Sequence, residues 1–194
     1  FKGGAINMGL DGQFMVGAAM STHTIRLHRV LRAPPERVYR AFLDAQAMAK
    51  WLPPHGFTGQ VHEIDARVGG RYRMSFTNLA TGHSHSFGGN YLELVPHERI
   101  RHTDRFDDPN LPGEMVTTVT LRTVFCGTEL AVVQEGVPGV IPAEACYIGW
   151  QEPLQVLAQL VEAEAKGRRG RTDVAPPRAH LLDLAVRPRR GAEP

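Results

Sequence analysis

Between residues 136 and 166 apolar side chains return every three or four positions. Cys146, Trp150, Leu154, Leu157 and Val161 fall on one stripe, while Gln151, Gln155, Gln159, Glu162 and Glu164 lie largely elsewhere; this is the pattern of a helix with one face to bury. The spacing predicts a long helix after the turn pair Pro138-Gly139, with Pro142 as its first residue, where a missing amide hydrogen costs nothing. At ~1.5 Å per residue the segment is roughly 35 Å long, enough to cross a sheet face. Pro153 cannot donate to the carbonyl of Gly149 and its ring crowds that carbonyl, so a bend is expected there.

Ahead of this helix the period falls to two. His23–Arg32 alternates, with Ile25, Leu27 and Leu31 on one side, and predicts a strand. Ala33-Pro34-Pro35-Glu36 breaks it and opens a helix with Val38, Ala41 and Phe42 inward. Asp44 is placed to cap a second short helix carrying Met48, Trp51 and Leu52, and Pro53-Pro54-His55-Gly56 stops it. Strands then follow near Gly59–Asp65, Gly70–Asn78, His85–Val95, Arg99–Phe106, Glu114–Phe125 and Thr128–Gly136, joined by short turn signals. Short connections imply an antiparallel meander, and with the first strand returning to pair the reading is an α+β domain.

Alternation also assigns faces. Tyr72, Met74 and Phe76 point inward and Arg71, Arg73 and Ser75 outward. On the fifth strand Ile100, His102, Asp104 and Phe106 are the inner set, because the alternative is Arg99, Arg101, Thr103 and Arg105. Met115, Thr117, Val119 and Leu121, then Leu130, Val132 and Gln134, complete the interior. Three polar groups, His102, Asp104 and Gln134, thus enter an apolar interior, and each costs on the order of 1–3 kcal/mol unless paired with a neighbour, water or a ligand. A satisfied structural pair and a functional cavity both remain open.

Composition narrows the classes. With 194 residues, 42% of them hydrophobic, the chain has material for one domain with a real core. No run approaches ~18 apolar residues, so no membrane-spanning helix is expected. Cys126 and Cys146 make neither a metal motif nor a disulfide framework; both read as buried small hydrophobes, and their use fits a reducing cytoplasm. The net charge of +2 is uneven, about +5 from residue 166 onward and −3 before it. The organisation reads as an N-terminal extension or upstream segment over 1–22, one domain over 23–166, and a basic, proline-containing, disordered tail over 167–194, with no specific nucleic-acid role expected.

Other motifs lead nowhere. His83-Ser84-His85 reads as a hairpin loop without the acidic or cysteine partners of a metal site. His62-Glu63 sits in a strand, unlike a helical zinc motif. Gly88-Gly89 lacks the spacing of a phosphate loop and reads as a bulge or a close approach of backbone to the helix. No cofactor or metal is expected.

One ordered set of pieces carries a resemblance: Arg29 with Ala33-Pro34, Val38 and Ala41-Phe42; Trp51-Leu52-Pro53; Asp65-Ala66-Arg67-Val68-Gly69-Gly70-Arg71-Tyr72-Arg73-Met74; Gly89-Asn90-Tyr91-Leu92-Glu93; Pro96-His97-Glu98-Arg99-Ile100; Gly127-Thr128-Glu129-Leu130; and Gly149-Trp150 with Leu154 and Leu157. It resembles the SRPBCC superfamily, and within it bacterial homologues of the C-terminal domain of the activator of heat-shock protein 90 ATPase, over roughly residues 23–165. The resemblance implies a helix-grip fold: a curved antiparallel sheet of about seven strands wrapped around a long C-terminal helix, with two short helices between strands 1 and 2, enclosing a hydrophobic pocket. Pro153 inside the helix and the basic tail depart from that pattern.

Three functions follow as expectations. The first is non-catalytic binding of a small apolar or amphipathic molecule, with walls from Trp51, Phe57, Tyr72, Phe76, Phe87, Tyr91, Phe106, Tyr147, Trp150 and Leu154 and polar handles from His102, Asp104 and Gln134. The second is an enzyme resembling the superfamily's polyketide cyclases and dehydratases, for which His102 with Asp104 is the pair to test; they lie ~7 Å apart along a strand, so their side chains must lean together. The third is a protein-interaction role, with a chaperone or a second copy as partner.

Overall fold

The computed structural model describes residues 21–169. Along the chain lie β1 (Thr22–Leu31), α1 (Pro35–Ala41), α2 (Ala45–Trp51), β2 (Phe57–Ile64), β3 (Arg71–Asn78), β4 (Ser84–Val95), β5 (Arg99–Phe106), β6 (Met115–Val124), β7 (Gly127–Pro138) and α3 (Ala143–Arg169). The seven strands form one antiparallel sheet in the order β1-β7-β6-β5-β4-β3-β2. This is the expected meander, closed at one end by the first strand. The segments read as an extension and a basic tail fall mainly on 1–20 and 170–194, outside the described residues.

Local chemistry starts and stops the helices as the sequence suggests. Pro34 sits in extended backbone before α1, with Pro35 in its first turn, where proline is tolerated. Asp44 caps α2 by accepting from the Ala47 amide at 2.8 Å, which typically stabilises a helix by about 1 kcal/mol. Pro142 lies one residue before α3 rather than inside it, and its carbonyl accepts from Ala145 and Cys146. α3 is assigned continuously across Pro153.

The concave face of the sheet and the stripe of α3 make the main core. Leu154, Leu157 and Val161 pack in one cluster with Leu31, Val38, Trp51, Ile100, Val119, Leu121, Leu130 and Val132. Trp51 is fully buried, and its indole N–H donates to the Ala41 carbonyl at 2.8 Å, so α1 and α2 are tied together beneath α3.

Several readings of the sequence are corrected. Cys126 is exposed, beside the fully exposed Phe125 in the β6–β7 turn, which projects past the sheet; Cys146 is only half-buried. Ser75 belongs to the outward set of β3 and is nonetheless buried, because His62 on β2 covers it, with Nε2 2.8 Å from its Oγ. His85, read both into a hairpin loop and as the start of the strand His85–Val95, lies in β4, which begins one residue earlier at Ser84. Gly88 and Gly89 make close approaches to neighbouring strands, not to the helix: a Cβ on Gly89 would overlap the Thr103 carbonyl of β5, and one on Gly88 the Tyr72 carbonyl of β3. Only glycine lets these strands come so near.

Candidate functional site

The first half of α3 does not close onto the sheet. Between them lies a cavity of about 270 Å³ walled by Trp51, Tyr72, Phe76, Phe87, Tyr91, Phe106, Met115, Val137, Ile141 and Trp150. Its α3 side is formed by Ala145, Cys146, Gly149, Trp150 and Pro153. Ala145 and Gly149 are exposed, and a Cβ placed on Gly149 would meet nothing within 4 Å. Small residues on the helix thus leave this side open.

Polar groups enter along one register line. Tyr91 on β4 pairs with His102 on β5, His102 with Thr117 on β6, and Thr117 with Gln134 on β7. Because side chains alternate across a strand, these four share the concave face. Asp104, two residues beyond His102, joins them. Its carboxylate accepts from the Thr117 hydroxyl at 2.7 Å and from the Tyr72 hydroxyl, and stands 3.4 Å from His102 Nδ1. His102 and Asp104 do lean together.

The neighbours fix the hydrogens. Around His102 Nδ1 lie the Asp104 carboxylate, the Thr103 carbonyl at 3.3 Å and the Tyr72 hydroxyl at 3.3 Å, and the first two only accept. Nδ1 therefore carries hydrogen, and Nε2 is the ring nitrogen with no protein partner among the described residues. Likewise the Trp150 indole only donates, so the Gln134 atom 2.9 Å from it is the amide oxygen and the amide NH₂ is left for the cavity. The Tyr91 hydroxyl is buried without a hydrogen-bond partner among the described residues.

Burial is the strongest influence on His102 and disfavours its imidazolium. The Asp104 charge, the hydrogen bond to it and the Thr103 carbonyl together outweigh that, so the pKa stands above the ordinary histidine value. For Asp104 burial pushes up, but the charge of His102 and the hydrogen bonds from His102, Tyr72 and Thr117 bring it below the usual carboxylate range. Burial first, and then Asp104, push the Tyr72 and Tyr91 phenols up, so both keep their protons. His85 goes the other way, lowered by burial and by His83. Burial also raises the Cys146 thiol, which makes it a poor thiolate nucleophile.

Of the residues singled out from sequence, Trp51, Tyr72, Phe76, Phe87, Tyr91, His102, Asp104, Phe106, Gln134 and Trp150 line this one cavity. Three do not. Phe57 packs against the core and edge-on to His85; Leu154 is in the solid core; and Tyr147 lies over β1, beside Arg26, His28 and Gln151. Tyr147 is one residue past Cys146, about 100° around the helix, which carries it off the stripe. Sequence reasoning missed Met48, Leu52, His85, Met115, Val137, Ile141, Ala145, Cys146, Gly149 and Pro153. His85 was legible: it continues the step of two through Phe87 and Tyr91, and its ring sits among Phe57, Phe76 and Phe87.

The family described as Activator of Hsp90 ATPase homolog 1-like protein matches residues 32–162. A solved structure of protein CV1439 from Chromobacterium violaceum is 66% identical, covers 72% of this chain and 96% of its own, and superposes with a TM-score of 0.71. Proteins from Rhodobacter sphaeroides (23% identity, 76% of this chain and 95% of that one, TM-score 0.65) and NE0264 from Nitrosomonas europaea (21%, 77% and 98%, 0.63) share the fold. No curated protein matches the chain.

Proposed function

The chain belongs to the Activator of Hsp90 ATPase homolog 1-like family, with its SRPBCC-type helix-grip fold, and from that premise we propose that it is a non-catalytic receptor for a small apolar or amphipathic molecule. One observation carries this reading: an apolar cavity of about 270 Å³ interrupts an otherwise tightly packed interior. A closed apolar void of that size would cost several kcal/mol. An open one lined by aromatic rings with a few polar groups has the composition of a ligand pocket. Cavities of roughly 150 Å³ take up benzene, so this one suits a molecule of about two fused rings.

Native mass spectrometry of freshly purified protein tests the reading. A small molecule that stays bound in the gas phase and leaves on denaturation is the expected result. A protein that emerges empty and takes up no apolar aromatic when challenged would sink it.

A second reading is favoured by the 3.4 Å approach of His102 Nδ1 to Asp104. A carboxylate that orients one imidazole nitrogen leaves the other available for proton transfer, as an enzyme of the cyclase kind requires. Turnover of a bound carbonyl compound that persists in His102→Ala would remove it. A chaperone-directed role rests on the family's name alone and ranks below both.

A further inference from the structure

The polar floor of the cavity carries more information than its volume. Asp104 is already engaged by Tyr72, Thr117 and His102, and the Gln134 oxygen by Trp150. On the floor itself the Gln134 amide NH₂ and His102 Nε2 are left for a guest; the Tyr91 hydroxyl is shut off by burial, and His85 stands farther along β4 among Phe57, Phe76 and Phe87. The Asp104 carboxylate 3.4 Å from Nδ1 favours the imidazolium, and in that form Nε2 also carries hydrogen, so both groups present hydrogens. Two donors that line one apolar space call for an acceptor atom.

We propose that the guest is an uncharged, largely apolar molecule with one carbonyl-type oxygen, which accepts from the Gln134 amide and from His102 Nε2–H. This rests on the receptor reading above and adds the chemical class of the ligand.

Charge decides against the alternatives. Among the described residues no lysine or arginine lines the cavity, and the imidazolium is already balanced by Asp104. A carboxylate guest would therefore leave one net negative charge in an apolar site, at a large desolvation cost. A cationic guest would face the positive His102 ring, and the Asp104 carboxylate is already engaged by three donors. An alcohol could accept both hydrogens but would also need an acceptor for its own, and the Asp104 and Gln134 oxygens of this floor are already engaged. A ketone, aldehyde or ester has no hydrogen to strand.

The test uses the full chain and three probes of one size: 2-acetylnaphthalene, the hydrocarbon 2-ethylnaphthalene, and 2-naphthoate. The infrared carbonyl band of bound 2-acetylnaphthalene should move to lower frequency than in hexane. Gln134→Leu should weaken the ketone about fivefold, the worth of one hydrogen bond, and leave the hydrocarbon within about twofold. Gln134→Glu, which still accepts from Trp150 but lacks the amide donor, should do the same and guards against misfolding of the first variant. The naphthoate should bind more weakly than the ketone. A band at its hexane position, naphthoate binding tighter than the ketone, or equal losses for ketone and hydrocarbon in both variants would overturn the proposal while leaving the receptor reading intact. Failure of all three probes to bind would overturn both.

Discussion

Two neighbouring rows of the concave sheet differ by two residues and have opposite fates. In one, Ile100, Val119 and Val132 stand side by side on β5, β6 and β7, are 0–1% exposed, and share a cluster with Leu154, Leu157 and Val161 of α3. In the next, His102, Thr117 and Gln134 occupy the same three strands, and above them α3 offers Trp150 and the small residues Ala145 and Gly149. The backbone is continuous through both. What changes is that the first row meets branched aliphatic side chains that fill the gap, and the second meets polar groups that engage each other and a helix face too small to fill it. One helix thus acts as a core element at its C-terminal half and as a roof at its N-terminal half.

The comparison can be broken from the packed side first. Leu157→Ala should cost about 3 kcal/mol in urea unfolding, through lost burial plus the cavity left behind, while Cys146→Ala on the roof should cost under about 1 kcal/mol. Equal losses would mean that the two halves of α3 are packed alike.

Next in size is the ion pair. Asp104→Asn should destabilise by about 2 kcal/mol, because it strips a charged acceptor from three buried donors. Replacing the pair together, as His102→Leu with Asp104→Leu, should cost no more than Asp104→Asn: the pair no longer needs desolvation, although the Thr117 hydroxyl loses its acceptor and Tyr72 keeps only the Thr103 carbonyl. A double variant less stable than Asp104→Asn would show that the polar row is holding the sheet together.

The pair also shapes the pH profile. Asp104 is lowered in the folded protein, so its contribution is complete above the unfolded carboxylate value of about 4 and is lost as pH falls through the lower folded value. His102 is raised, so its contribution is complete below about 6.5 and is lost as pH rises through the higher folded value. Thermal stability from this pair should therefore plateau between about pH 4 and 6.5, and Asp104→Asn should flatten the decline on the alkaline side. A wild-type plateau lying wholly above neutrality would contradict the assignment.

The smallest effect sharpens the picture of the roof. Gly149 faces open space within a helix, so Gly149→Ala should stabilise by about 0.5–1 kcal/mol. The bulkier Gly149→Leu should narrow the opening and slow uptake of 2-acetylnaphthalene in stopped-flow fluorescence. Unchanged uptake would place the route into the cavity elsewhere.

Most of the architecture was legible in the sequence because it depends on repeats of local chemistry. The step of two through Tyr72, Met74 and Phe76, or Ile100, His102 and Asp104, assigns faces without a partner in view. The step of three and four from Cys146 to Val161 gives α3 its buried stripe. Errors fell where a neighbouring element overrides the pattern. His62 covers Ser75, and the β6–β7 turn exposes Cys126.

The sequence by itself therefore determined the order of elements, the inner face of the sheet and the presence of polar groups within it, because alternation and helical spacing are properties of the chain alone. Only the tertiary structure decided which polar groups meet. That depends on strand register, which sets His102 beside Thr117 and Thr117 beside Gln134, and on where α3 crosses, which lets Leu154 fill space and leaves Gly149 beside a void. Register and crossing are fixed by the summed packing of distant residues, so no stretch of sequence read in isolation contains them.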